Sequence, residues 1–215
     1  MKFFTFILCL IPAALIAQNE NTLTVKVNGT EFQTQPRQVN MGSYAYFTAN
    51  DPKPETMLRI WLGDFKGTAI TESGTYLVID AENPPSDKEI KAEEFYEKFK
   101  GYAAVRYVTE TKSPRMSYHV GDSGNNGETI EVKNSGDGYI EIIFDLNLNG
   151  THWKERKSAT VVGGLGRLQN KMESKIISKS TGYDWNIDPE GNGYRKLNET
   201  DTIKLTEGSM KIKIN

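Results

Sequence analysis

The chain of 215 residues carries a single cysteine and only two histidines. Cys9 sits in an apolar leader, so everything after residue 17 is free of cysteine. That excludes a disulfide framework, a thiolate metal site and a cysteine nucleophile from the remainder. A long apolar run is also missing. Residues 3–16 are apolar but short, and no later stretch approaches the ~20 residues that span a bilayer as a helix. Positive charge is not in excess either: 26 Lys and Arg stand against 28 Asp and Glu, a net charge of −2. Without clustered Lys and Arg, phosphate contacts are few and nucleic acid is not an expected partner. No Gly-x-Ser-x-Gly elbow, His-Glu-x-x-His pair, internal repeat or low-complexity tract occurs.

The leader itself is informative. A charged start at Lys2, the apolar run, Ala17 and then the polar Gln18-Asn19-Glu20-Asn21 follow the order of a secretory signal peptide cut after Ala17. Leu8 stands before Cys9 where a lipoprotein signal needs a small residue, which favours a secreted or periplasmic product over a lipid-anchored one. Residues 18–215 then form one β-rich domain, of a size that buries a substantial core.

Alternation is the main structural signal. In residues 139–149, Ile140, Ile142, Phe144, Leu146 and Leu148 point one way, and mostly polar residues point the other. A period of two over that length is a half-buried strand. Residues 129–133 alternate as well, and Asn134-Ser135-Gly136-Asp137-Gly138 between them reads as the reversal of a hairpin. Further strands are expected at 23–27, closed by Asn28-Gly29, and at 44–49, 57–65, 74–79, 102–109, 115–120, 158–162, 202–205 and 210–214. On 115–120 the pattern sends Met116, Tyr118 and Val120 inward and His119 outward. One helix is expected at about 86–101, from the capping spacing Ser86 to Glu89 and the stripe Ala92, Phe95, Tyr96 and Phe99. Residues 168–179 suit a short helix or a strand. The fold class is all-β, an antiparallel β-sandwich with a lipocalin-like barrel as the alternative.

Several of these stretches together resemble an uncharacterised family of small secreted proteins from Bacteroidetes-type bacteria, defined as a domain of unknown function. The similar features are the opening strand ending Val27-Asn28-Gly29 with Phe32 after it, the start Gly74-Thr75-Tyr76, the hairpin of 129–132 with 139–148, and the last strand entered through Thr206-Glu207-Gly208-Ser209-Met210. The resemblance implies a β-sandwich and export. It brings no catalytic residues.

Two patterns overlap near the end of the chain. Asp188, Glu190, Asn192 and Glu199, with Gly193 at the sixth position, match the donor spacing of a twelve-residue calcium loop; a solvated turn gives the same residues. Tyr183, Trp185, Asn186 and Tyr194 combine flat rings with short polar groups, the needs of a sugar-stacking surface; the rings also suit a lid over the end of the fold. His119 and His152, the latter just past an expected Asn149-Gly150 turn, read as surface histidines. A Ser/His/Asp set is recognised by geometry and not by order. The expected function is a secreted, non-catalytic binding module of the envelope or exterior with a glycan ligand and calcium as the candidate cofactor. The alternatives are a small carboxylate-dependent glycan hydrolase and a structural or protein-interaction module.

Overall fold

The computed structural model describes residues 21–41, 44–52, 55–64, 71–80, 97–111, 115–121, 127–155 and 194–214. These residues hold eleven strands: β1 (Thr22–Val27), β2 (Thr30–Thr34), β3 (Pro36–Met41), β4 (Tyr44–Pro52), β5 (Glu55–Gly63), β6 (Gly74–Ile79), β7 (Gly101–Thr111), β8 (Arg115–Gly121), β9 (Thr129–Gly136), β10 (Tyr139–Glu155) and β11 (Tyr194–Lys213). All belong to one sheet. Its order is β2-β1-β11-β10-β9-β6-β7-β5-β4-β3, with β8 placed between β10 and β7. Every pairing is antiparallel except that of β6 with β7.

Local chemistry explains the tight reversals. Asn28 and Gly29 have φ of 49° and 81°, and Val27 pairs with Thr30. Two central residues at positive φ match the right-handed twist of the strands they join. Asp137-Gly138 repeats the device between β9 and β10, at φ of 52° and 78°.

The expected alternation of β10 is observed. Ile140, Ile142, Phe144, Leu146 and Leu148 are all buried, while Asp145, Asn147 and Asn149 are exposed. The strand then continues beyond its expected end to Glu155, straight through Asn149-Gly150, so the turn expected there is not formed. The two expected closing strands are one, β11, kinked at Glu207. There the register shifts against Phe144 and Leu146, and Glu207 takes φ of 54°. Asp145 Oδ1 accepts a hydrogen bond from the Glu207 N–H at 2.7 Å and holds this bulge in place.

β2 and β3 lie at opposite ends of the strand order, yet only Gln35 separates them in the chain. Both ends of the sheet therefore meet, and the sheet rolls around a common interior. Leu23 and Val25 from β1, Phe47 from β4, Ile60 from β5, Val78 from β6 and Phe144 from β10 share one buried cluster there. The expected all-β antiparallel class is thus formed by a single continuous sheet facing itself.

Most of the expected helix lies outside the described residues; Glu97 and Lys98 are helical, and Phe99 from its aromatic stripe is buried against Leu77 and Ile79. The leader 1–17, the strand expected at 158–162 and residues 168–179 also lie outside them. No described helix is long and apolar enough to cross a membrane.

Candidate functional site at one end of the interior

Side chains of directly opposed residues share a face of the sheet. Following the pairing across five strands gives one row: Leu58 on β5, Tyr107 on β7, His119 on β8, Gly150 on β10 and Asp201 on β11. Leu58 is in the core, so the whole row faces the interior. A second row beside it runs Thr56, Thr109, Ser117, His152. On the core side, Ile60 and Val105 form an opposed pair, as do Leu148 and Ile203, and all four are buried and apolar. Over one step along the strands, the lining changes from hydrocarbon to hydrogen-bonding groups.

Gly150 makes the polar row work. His119 and Asp201 come from strands on either side of β10, about 9.6 Å apart by strand spacing. They meet above the bare backbone of Gly150, where His119 Nε2 lies 2.8 Å from Asp201 Oδ1. A Cβ at position 150 would collide with both that oxygen and the His119 ring. His152 Nε2 approaches the same Oδ1 at 3.3 Å, and Ser117 Oγ lies 3.0 Å from His152 Nδ1. Both histidines of the chain therefore converge on one carboxylate.

Exposure differs within the cluster. The side chains of His119, His152 and Asp201 are 4%, 22% and 43% exposed. His119 is the closed inner member, flanked by the rings of Tyr107 and His152, each 6.3 Å away between centroids. Burial holds its imidazole below the usual value, opposed by the attraction of Asp201. Its Nδ1 is buried without a well-formed hydrogen bond. The Tyr107 phenol is pushed up by burial, with the Thr109 and Thr56 hydroxyls pulling the other way. Phe32 of β2 meets the Tyr107 ring edge-on at 6.3 Å.

This overturns the expected orientation of β8. His119 faces inward and Tyr118 the opposite way, yet Tyr118 is also buried, with Met57 and Val108 on the outer face. A strand covered on both sides gives alternation no wet face to read. His152 is likewise not a residue beyond a turn but an interior position of β10.

Of the residues expected at the site, Tyr183, Trp185, Asn186, Asp188, Glu190 and Asn192 lie outside the described residues. Tyr194 opens β11 and packs, half-buried, against the outer cluster of Met57, Val108 and Tyr118 alongside Trp153. The Trp153 indole N–H donates to Thr151 Oγ1 at 3.0 Å, which fixes its ring on that outer face. Glu199 is exposed on β11. Among the described residues no group of three or more His, Cys, Asp or Glu is arranged to hold a metal ion. Sequence reading missed Ser117, His119, His152 and Asp201 as a set. The available signal was Gly150, a lone glycine in an alternating strand, which marks a close approach of other groups.

No family model, curated protein or solved structure matches the chain.

Proposed function

We propose that the protein is a secreted or periplasmic binding module, and that its ligand, a glycan, sits against Tyr107, Ser117, His152 and Asp201. One observation carries this reading: the interior lining turns polar at one end, and Asp201 and His152 keep accessible surface there. A ring beside short hydroxyl, imidazole and carboxylate groups is what recognition of a sugar requires. The leader at residues 1–17 supports export, as does the resemblance to exported bacterial proteins. A hydrolase built on a carboxylate pair draws less support, because among the described residues Asp201 is the only carboxylate in contact with the two histidines.

A glycan array probed with the wild-type chain and with Asp201→Ala tests the proposal. Binding should appear with the wild type and fall on the same glycans with the variant. Binding that the variant retains in full would remove the site from the reading. A blank array with the wild type would remove the glycan.

A further inference from the structure

One step further along the strands the lining changes again. Beyond Thr109, Ser117 and His152 the pairing continues to Thr111 on β7, Arg115 on β8, Lys154 on β10 and Arg195 on β11. These positions belong to the same face as the two rows before them, since a strand returns to one face every second residue. Three of the four are cationic and none is acidic. Glu110 and Glu155 are their neighbours in sequence but hold register positions of the outer face, opposite Met116 and Tyr194. Along β11, Glu199 is the acidic residue between Arg195 and Asp201, exposed where the register shifts. Set against the three cations, its one charge leaves the row strongly positive.

Such a row is unfavourable as it stands. Like charges directly opposed on neighbouring strands destabilise their pair. Lys154 has a cation opposite it on both sides, Arg115 on β8 and Arg195 on β11. Lys154 is half-buried and Arg195 exposed, and neither forms an ion pair among the described residues. Lys196, the next residue of β11, differs: it lies over the Trp153 ring on the outer face, 6.0 Å from the centroid. An anion seated at the row would offset the repulsion. Ser117 and His152, both partly exposed, border that position with groups that can donate hydrogen bonds. Asp201 does not forbid it. Its partner Gly150 lies four residues before Lys154 on β10, about 13 Å at the rise of a strand. That is longer than the ~8 Å over which exposed charges act at physiological salt. The Asp201 charge is also engaged by His119.

We infer that this end takes an acidic oligosaccharide, with sugar hydroxyls at Asp201 and a sugar carboxylate at Lys154 and Arg195. The inference rests on the glycan reading above and deepens it: the separation of the two rows calls for more than one ring, and the cations call for uronic acids. The probes are trigalacturonic acid, its methyl ester, which keeps rings and linkages but removes the charges, and triglutamate, an anion that is not a sugar. Each is titrated calorimetrically into the exported protein. Trigalacturonic acid should bind more tightly than its ester and weaken with added salt. Lys154→Gln and Arg195→Gln should each lower its affinity by about tenfold, the loss expected for one charged hydrogen bond. Without ligand, Lys154→Gln should raise the melting temperature at low salt, because it removes the central charge of the row.

Each other outcome overturns a stated part. Equal binding of the acid and its ester leaves the glycan reading standing and removes the preference for an acidic sugar. Triglutamate binding as tightly as trigalacturonic acid keeps the anion site and removes the glycan. Full affinity for trigalacturonic acid in both variants removes the cationic row as its place. Failure of all three probes overturns the inference and leaves the glycan reading to the array. The comparison of acid, ester and peptide uses the wild-type protein, so it decides the matter even if a variant folds poorly.

Discussion

The ring of Phe144 lies across the backbone of Gly208, its opposed residue on β11. The ring fills the space that a side chain at 208 would occupy, immediately beside the Glu207 bulge. Phe144→Ala empties this buried site and should cost about 3–5 kcal/mol. Asn147→Ala, on the exposed face of the same strand, gives up a hydrogen bond to Glu128 and should cost about 1 kcal/mol. Denaturant unfolding of both variants checks the difference; equal losses would place Phe144 outside the core.

Gly150 should resist substitution for a different reason. Gly150→Ala sets a methyl group against Asp201 Oδ1 and the His119 ring. Separating that pair and straining the row should cost about 1–3 kcal/mol. The imidazole NMR signals of His119 should move more than those expected from a change on an open strand surface. A variant with wild-type stability and unmoved signals would show that the two side chains do not need the gap.

Acid should destabilise the fold through His119. Its folded value lies below that of an ordinary exposed imidazole because burial disfavours the cation. The unfolded chain therefore takes up the proton first as pH falls. The contribution of His119 is fully present above about pH 6.5 and is lost as pH drops from there toward the folded value. The groups facing it are Tyr107 from β7, His152 from β10 and Asp201 from β11. Melting temperatures between about pH 5 and about pH 8 should show a shallower decline in His119→Gln than in the wild type. Identical slopes would mean that folding does not depress this residue.

The first turn is tied to the last strand. The Asn28 N–H donates to the Lys204 carbonyl, and Asn28 Oδ1 accepts from the Lys204 N–H, both at 2.8 Å. Asn28 also sits at positive φ, which asparagine tolerates better than most residues. Asn28→Ala gives up the side-chain bond and the conformational tolerance, and should cost about 1–2 kcal/mol by thermal unfolding. Asn28→Gly removes the strain but not the lost bond, so it should fall between wild type and alanine.

What could be read ahead of the structure follows from where water is. β10 has one wet face and one dry face, and its buried set was legible residue by residue. Asn28-Gly29 was legible because its backbone needs are met by few residue types. β8 was read upside down, since both of its faces are covered and apolar residues on the outer side imitate a core. β3, with Arg37, Gln38 and Asn40 along it, shows no apolar period and was missed. The Asp201 cluster draws on three strands far apart in sequence, and each member is an ordinary polar residue in its own segment. Only the register brings them together.

The single-residue joint at Gln35 bears on how the chain reaches its fold. β11 must insert between β1 and β10, and Thr22 pairs with Lys211 from almost the other end of the described chain. Until residues 194–213 arrive, β1 has only its hairpin partner, and β10 shows an open edge along its full length. Pairings between such distant segments form late, because the loop-closure entropy comes before the contacts that offset it. The slowest step should therefore be the docking of β11. The Leu205–Met210 amides should gain hydrogen-exchange protection after those of the β9–β10 hairpin, although in the finished protein they lie in the middle of the sheet.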